Sequence, residues 1–316
     1  MAKNMYQKRE ERKNKPTEQK NNATNINWYP GHMAKTKKQI EEDLKLIDVV
    51  VELLDARIPK ASVNPVIEEL IKNKKKVIAL NKSDLSEEKE NKKWITYFEK
   101  NNISAVLTDS NSGKGMNEII KKIENVFIDD KNTYAQKGRI GKSIRVMIVG
   151  IPNVGKSSFI NRITKKTSAI VGNRPGVTKQ KQWVKVNNNI DLLDTPGVLW
   201  PKLEQETVAL NLAYTGTIKD DIINKLDIAY FLLKYLLENY KENIVERYKI
   251  EPNEVEEILN NSDNMENENI MEIMYIIGRK RGCIVSGGNV DEEKVAGIIL
   301  DDFRSGKLGR ITLEKI

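Results

Sequence analysis

The sequence predicts an α/β fold in which a parallel, doubly wound sheet is followed by a smaller, mainly helical domain. Short apolar runs rich in β-branched residues alternate with amphipathic segments, the pattern of strands covered on both faces by helices. The strand-like runs stop after about residue 204, and the rest of the chain reads as helices. At 316 residues the chain is long enough for about two domains.

We divide the chain into a basic tail (1–25), a sheet domain (26–205) and a helical domain (206–316). The tail carries seven Lys/Arg against three Glu and no apolar periodicity. A segment of this kind cannot bury a core, so we expect it to be disordered.

The sheet domain is expected to open with a helix over residues 33–46. The predicted strands are short and largely apolar, and they cover residues 47–54, 76–80, 103–107, 144–149, 183–186 and 190–193. A further helix is predicted over 116–127, followed by a polar linker over 128–142. In the helical domain, the amphipathic stretch 228–240 predicts a helix and Ser286-Gly287-Gly288 predicts a turn.

Composition excludes several classes of protein. No apolar run reaches the ~20 residues that cross a bilayer, and no apolar core follows the basic amino terminus as in a signal peptide. A single cysteine, Cys283, can form neither an internal disulfide nor a zinc site alone, which indicates a cytoplasmic setting. The net charge of +8 favours polyanionic partners, although a basic soluble surface without a nucleic-acid role also accounts for it.

The strongest motif is GIPNVGKS at residues 150–157, which matches GxxxxGK[ST] between an apolar strand and a predicted helix. In such a loop, backbone N–H groups surround phosphates and the helix amino terminus adds positive potential. Lys156 is expected to reach the β- and γ-phosphates as a catalytic group, and Ser157 to ligate Mg²⁺. The predicted nucleotide-binding residues of this loop are Asn153, Val154, Gly155, Lys156, Ser157 and Ser158.

A second phosphate motif, Asp194-Thr-Pro-Gly197, ends the last predicted strand. Asp194 can hold Mg²⁺ through water, and Gly197 offers its N–H to the γ-phosphate without a side chain in the way. Thr178 lies between the two motifs and supplies a hydroxyl, although an isolated threonine is usually an ordinary loop residue. We therefore predict Ser157, Thr178 and Asp194 as metal ligands, with Thr178 also in a catalytic role.

The base is indicated by Asn81-Lys82-Ser83-Asp84, directly after a predicted strand. The Asp84 carboxylate can accept hydrogen bonds from N1–H and the 2-amino group of guanine. Adenine lacks this pair of donors and would leave the carboxylate desolvated and unpaired, which disfavours an ATPase. Asp109 and Ser110 follow the next strand, and their loop is expected to close over the guanine.

The order of the motifs is permuted. Asn81-Lys82-Ser83-Asp84 precedes the phosphate loop by about 70 residues, whereas Ras-like GTPases have the phosphate loop first. Ligand loops of a doubly wound sheet gather at the carboxyl ends of the strands, so a relinked chain can assemble the same site. The helical domain then follows directly after the loop that senses the γ-phosphate, which links nucleotide state to partner binding.

The water-positioning group is missing from its usual place. Val198 follows Gly197 where Ras-like enzymes have a glutamine, so another residue must orient the water or hydrolysis must await a partner. His32, the only histidine, lies within WYPGHMAK at residues 28–35. Composition alone favours a structural or surface role for it.

These motifs together resemble the circularly permuted GTPases over about nine-tenths of the chain, from Trp28 onward. The resemblance is carried by WYPGHMAK, DARIP, GIPNVGKS, RPGVT, DTPGVLWP and KRGCIVSGG. It implies a late assembly factor of the large ribosomal subunit that binds pre-ribosomal particles and their rRNA with GTP and leaves after particle-stimulated hydrolysis. It also implies a catalytic role for His32 and potassium activation at Asn153. The basic tail before Trp28 departs from the shorter family pattern.

Two alternatives remain open from the residues. One is a GTPase of another class, which regulates RNA modification or signals through a protein partner. The other is an RNA-binding module that uses nucleotide only for stability, and turnover by the isolated protein distinguishes it. Contact with RNA predicts a basic face on the helical domain that includes Arg279, Lys280, Arg281 and Arg304.

Overall fold

A six-stranded sheet lies at the centre of the computed structural model, which describes residues 30–128, 143–164, 182–194, 205–261 and 266–316. The strands are β1 (Val49–Asp55), β2 (Lys75–Asn81), β3 (Ser104–Leu107), β4 (Ile144–Gly150), β5 (Gln182–Lys185) and β6 (Ile190–Asp194). Their spatial order is β3-β2-β1-β4-β6-β5. The predicted basic tail and most of the predicted polar linker lie outside the described residues.

The edge strand β5 departs from the predicted parallel arrangement. β1 to β4 and β6 pair in parallel with their neighbours, whereas β5 pairs with β6 in antiparallel register. Only residues 186–189 separate these two strands. A connection that short closes a hairpin, whereas a parallel crossover needs about a dozen residues or more. The prediction of a parallel sheet is therefore wrong at this edge and confirmed elsewhere.

Helices cover both faces of the sheet, as a doubly wound fold requires. They are α1 (Pro30–Leu44), α2 (Pro65–Ile71), α3 (Glu88–Lys100), α4 (Met116–Val126) and α5 (Lys156–Thr164). On one face, Ile40 of α1 and Ile67 of α2 pack with Val50 of β1. On the other, Ile119 of α4 and Phe159 of α5 belong to the cluster that contains Val49, Val51 and Leu53 of β1. Every residue of β1 is buried for this reason.

The helical region contains α6 (Glu206–Tyr214), α7 (Lys225–Asn239), α8 (Lys241–Tyr248), α9 (Pro252–Leu259), α10 (Glu266–Lys280) and α11 (Glu292–Arg304), with a 3₁₀ turn at Asp220–Ile222. The helix predicted over 228–240 is α7, which buries Leu232 and Leu236 one turn apart. The predicted glycine turn is present, closed by an antiparallel bridge between Ile284 and Val290. No described helix is long and apolar enough to cross a bilayer.

After α11 the chain returns to the sheet region, which the sequence pattern did not predict. We call residues 311–316 the carboxyl-terminal strap. The Ile311 N–H donates to the Leu85 carbonyl at 2.9 Å, and the Leu313 N–H donates to the Arg57 carbonyl at 2.9 Å. The strap therefore bridges the loop after β1 and the loop after β2.

The predicted basic face of the helical region is only partly formed. Arg304 donates to the carbonyls of Tyr214 and Ala213 and makes two hydrogen bonds to the Asp220 carboxylate. Its guanidinium thus satisfies carbonyls at the end of α6 and does not belong to an open surface. Arg281 lies over the Tyr248 ring at 5.2 Å and is partly buried. The other two members of the predicted face, Arg279 and Lys280, are exposed.

Candidate nucleotide-binding site

The loops after β2, β3 and β4 meet at one edge of the sheet and are joined by Asn81, whose side chain is buried. Its Nδ2 donates to the Val154 carbonyl in the glycine-rich loop at 2.8 Å. Its Oδ1 accepts from Ser110 Oγ at 2.8 Å and from Thr108 Oγ1 at 3.3 Å. One side chain thus holds the predicted base-reading loop (residues 81–84) against the predicted phosphate loop (residues 150–157).

The backbone of the glycine-rich loop requires glycine at two positions. Gly155 has φ +98°, and a Cβ there would lie 2.5 Å from Asn81 Nδ2. A Cβ at Gly150 would lie 2.6 Å from the Leu53 carbonyl oxygen. α5 begins directly after this loop, so the amino-terminal N–H groups of a helix lie next to it. Backbone donors and the helix dipole there favour an anion.

Lys156 points its ammonium back over the same loop. Nζ donates to the Gly150 carbonyl at 3.1 Å and the Ile151 carbonyl at 2.7 Å, and the residue is buried. Val154 is also buried, while Ser157 and Ser158 lie partly buried in the first turn of α5. A cation, backbone donors and a hydroxyl are therefore gathered within a few residues, and together they can bind a polyphosphate.

The base-reading loop presents polar atoms without internal partners. Among the described residues, Ser83 Oγ and one carboxylate oxygen of Asp84 are buried and have no hydrogen-bond partner. Burial raises the pKa of Asp84, and the nearby carboxylate of Asp109 adds to the rise. A buried acceptor of this kind is costly unless a ligand donates to it. The guanine N1–H and 2-amino pair has the matching chemistry.

The loop after β3 is held by its own hydrogen bonds. The Asp109 carboxylate accepts from the Asn111 N–H at 2.7 Å and the Ser112 N–H at 3.2 Å. Burial alone would raise the pKa of Asp109, but a hydrogen bond with the Ser112 side chain, together with the two backbone N–H groups, lowers it overall. Arg162 of α5 donates to the Ser110 carbonyl at 3.1 Å. Asp109 therefore shapes the loop, and Ser110 joins it to Asn81.

A charged cluster at the end of β1 was missed as part of this site. Arg57 makes hydrogen bonds to both carboxylate oxygens of Asp55, and Lys82 Nζ lies 2.9 Å from Asp55 Oδ2. Burial would raise the pKa of Asp55, but the two cations hold it well below its usual range. The available signal was an aspartate closing the strand next to the one that carries Asn81-Lys82, with an arginine two residues later.

The phosphate loop also contacts the helical region directly. Asn153, with φ +58°, donates from Nδ2 to the Gly216 carbonyl at 2.6 Å. Gly216 follows α6, whose last carbonyls accept hydrogen bonds from Arg304. This hydrogen bond therefore connects the phosphate loop directly to the helical region.

Several predicted site residues lie wholly or partly outside the described parts of the chain. Thr178 and Gly197 are outside them, whereas for His32 and Asp194 the backbone is described and the side chain is not. His32 lies in the first turn of α1. Asp194 ends β6 in register with Ile148 of β4, the strand that leads into the phosphate loop. The roles of these four residues stay predictions, as do those of the other predicted site residues.

Comparison with known proteins identifies the relatives of this chain. A family model described as "50S ribosome-binding GTPase" matches residues 145–274. Ribosome biogenesis GTPase A of Bacillus licheniformis is 45% identical over 290 residues, which covers 92% of this chain and 98% of that protein. Mitochondrial ribosome-associated GTPase 1 of Mus musculus is 32% identical over 304 residues, covering 91% of this chain and 90% of its own.

A solved structure shares the architecture. The crystal structure of GNP-bound YlqF from T. maritima aligns with a TM-score of 0.61 at 28% identity. The alignment covers 89% of this chain and 98% of that one. The likeness therefore extends over the sheet region and the helical region together.

Proposed function

This chain belongs to the ribosome biogenesis GTPase A family, and we propose that it acts late in the assembly of the large ribosomal subunit. As a member of that family it is a GTPase. In our proposal the GTP form binds the precursor particle and its rRNA in the cytoplasm, and hydrolysis releases it. Residues 26–205 would hold the nucleotide and residues 206–316 would contact the particle. The observation that carries the proposal is the hydrogen bond from Asn153 in the phosphate loop to Gly216 in the helical region.

Guanine recognition is assigned to Asp84, supported by its buried acceptor oxygen in the loop that Asn81 holds against the phosphate loop. Asp84→Asn should weaken GTP binding more than about tenfold and shift preference toward xanthine nucleotide, because the amide can donate to the 2-oxo group. Titration of GTP and XTP against both proteins measures this. Unchanged GTP affinity would remove Asp84 from the site.

Phosphate and metal binding are assigned to the remaining predicted residues. Lys156 would contact the β- and γ-phosphates, and Gly197 would donate its N–H to the γ-phosphate. Ser157, Thr178 and Asp194 would hold Mg²⁺, since hydroxyl and carboxylate oxygens are ligands that this ion prefers. The bound ion would neutralise charge on the phosphates. We keep K⁺ at Asn153 as a proposed activator, a role implied by the family resemblance.

Water positioning is assigned to His32, because Val198 has no group that can perform it. An imidazole near the γ-phosphate can orient water, and phosphoryl transfer depends mainly on positioning and charge stabilisation. His32→Ala should retain GTP affinity and lose roughly 10- to 1000-fold in particle-stimulated hydrolysis. Single-turnover rates with and without particles decide the point. Full stimulated turnover in the variant would return His32 to a structural role.

The central test is co-sedimentation with large-subunit particles in the presence of a GTP analogue or GDP. The proposal expects pelleting with the analogue, little with GDP, and a decline as salt rises because phosphate contacts release counterions. Asp84→Asn is the matched control and should pellet poorly with the guanine analogue. Equal pelleting with both nucleotides at all salt concentrations would contradict a nucleotide-controlled assembly factor. Turnover by the isolated protein separates it from a non-enzymatic RNA-binding module.

A further inference from the structure

We propose that Asp55 and Arg57 are positioning residues for the base-reading loop, Asn81 to Asp84, and that they connect this loop to the carboxyl-terminal strap. The inference rests on the proposed guanine site and adds two residues and a long-range connection to it. Both side chains are 1% exposed, so neither is placed to touch nucleotide itself. They act through Lys82 and the backbone around it.

Asp55 fixes the ammonium of Lys82. The two residues come from the ends of adjacent parallel strands, where Asp55 is in register with Asn81. Lys82 has φ +59°, a left-handed conformation that a non-glycine residue adopts only when its surroundings hold it. The ion pair from Asp55 Oδ2 to Lys82 Nζ, at 2.9 Å, supplies such a constraint. The backbone that carries Asp84 is therefore held from the side of β1.

Arg57 fixes Asp55 in turn. Its Nε and Nη2 donate to the two carboxylate oxygens at 3.0 and 2.8 Å, and its backbone N–H donates to Oδ1 at 3.1 Å. The Asp55 N–H donates to Ser62 Oγ at 3.0 Å. With both oxygens and the backbone engaged, the carboxylate cannot turn to follow a moving lysine. It serves as a fixed anchor for Lys82.

Arg57 also reaches the helical region and the strap. Its Nη1 donates to the Phe303 carbonyl at 3.4 Å, and its guanidinium lies 5.0 Å from the centre of the Phe303 ring. Its own carbonyl accepts from the Leu313 N–H. On the β2 side, the Glu87 N–H donates to Thr312 Oγ1 at 2.9 Å. The strap thus holds the loop after β1 and the loop that follows Asp84 in one arrangement.

The charges of the cluster make this arrangement sensitive to Asp55. One buried carboxylate serves two cations, Arg57 and Lys82. Without it, the guanidinium and the ammonium repel each other, and Lys82 gains by turning toward solvent. Such a turn would move the backbone next to Asp84, whereas Lys156 would keep its hydrogen bonds to the Gly150 and Ile151 carbonyls within the phosphate loop.

The test compares Asp55→Asn and Arg57→Lys with the parent chain. Dissociation constants are measured by calorimetry for GDP, for IDP, which lacks the 2-amino group, and for pyrophosphate. Asp55→Asn should weaken GDP about tenfold and lower the preference for GDP over IDP, with pyrophosphate affinity unchanged. Arg57→Lys should act in the same direction by about threefold, since lysine keeps the charge but loses the bidentate geometry. Glu52→Gln, another buried carboxylate of β1, is the matched control and should change none of the three.

Two results would overturn the inference. The first is a parallel loss of GDP and pyrophosphate affinity with the GDP-to-IDP preference retained, which indicates general loosening of the fold. The second is a preference for GDP over IDP that stays at the parent value in both variants, or in Arg57→Lys alone should Asp55→Asn not fold. A parent chain that binds GDP no more tightly than ADP would instead contradict the proposed function, so the two failures are distinguishable.

Discussion

Two carboxylates on β1 experience similar burial and opposite electrostatics. Glu52 and Asp55 lie three residues apart and are each 1% exposed. Burial and the neighbouring Glu68 raise the pKa of Glu52 to about 8, with Lys76 opposing the rise. At Asp55 burial also acts upward, but Arg57 and Lys82 outweigh it and hold the pKa well below its usual range. At neutral pH the first carboxyl is mainly protonated and the second is ionised.

The opposite pKa shifts of Glu52 and Asp55 follow from the number of cations that lie next to each carboxylate. Lys76 Nζ lies 2.7 Å from Glu68 and 3.4 Å from Glu52, so two carboxylates share one ammonium in the middle of the sheet. At the end of the same strand, the single carboxylate of Asp55 pairs with two cations, Arg57 and Lys82. Burial itself does not decide the charge of an acid; the balance of its neighbours does. The ionised acid lies at the edge of the sheet where the loops after β2, β3 and β4 meet.

The largest expected effect comes from breaking the Asp55 cluster. Asp55→Asn leaves the buried Arg57 and the partly buried Lys82 without their carboxylate, and removal of one partner of a buried ion pair typically costs about 3–5 kcal/mol. Glu52→Gln should cost far less at pH 7, because it replaces a mainly neutral acid with a neutral amide. Urea unfolding of both variants without nucleotide measures the difference. Equal destabilisation would mean that the two sites have the same charge state.

A smaller effect, with a definite sign, is expected from the pH dependence of Glu52. In the unfolded chain this acid has the ordinary glutamate pKa of 4.5, whereas in the folded chain it keeps its proton to about pH 8. The folded state therefore holds an extra proton in this window, and stability falls as pH rises through it, by at most ~1.4 kcal/mol per pH unit. Glu52→Gln should flatten the slope of unfolding free energy between about pH 5.5 and 7.5. Profiles that stay parallel would show that Glu52 is already ionised.

The smallest effect on stability should come from breaking a solvent-exposed ion pair. Glu69 and Lys72 lie one helical turn apart, with side chains 68% and 59% exposed. Solvent screens such pairs, so Lys72→Ala should leave the melting temperature unchanged within about one degree. A clear loss would show that charge pairing on this protein is strong even without burial, which would weaken the contrast between Glu52 and Asp55.

The sequence predicted the local parts of the fold well. The observed strands begin and end within two residues of their predicted positions, because a run covered on both faces must be apolar throughout. The loops that carry Asn81, Asp84 and Lys156 were predicted for a similar reason, since each follows such a strand. β5 was assigned the wrong direction because periodicity reports which residues are buried and not which way a strand runs.

Contacts between distant residues could not be predicted in this way. Arg304 was placed on an open basic face, yet its partner Asp220 lies 84 residues away and leaves no mark on the local pattern. The pairing of Arg57 with the Phe303 carbonyl, 246 residues apart, is hidden for the same reason. A sequence pattern predicts that a charged residue is exposed, because the pattern does not show a distant partner. Asp55 and Arg57 were noticed only as part of a family motif.

The strap has a consequence for the order in which the protein matures during translation. Thr312 is made 225 residues after Glu87, whose N–H it accepts. At roughly 5–20 residues per second, the loop after β2 waits on the order of ten seconds or longer for this contact. Asn81 likewise cannot join the base-reading loop to the phosphate loop until Val154, whose carbonyl accepts its hydrogen bond, has been synthesised. The nascent chain therefore carries its predicted base-reading loop before the hydrogen bond between Glu87 and Thr312 can form, and in our proposal tight nucleotide binding waits for that bond.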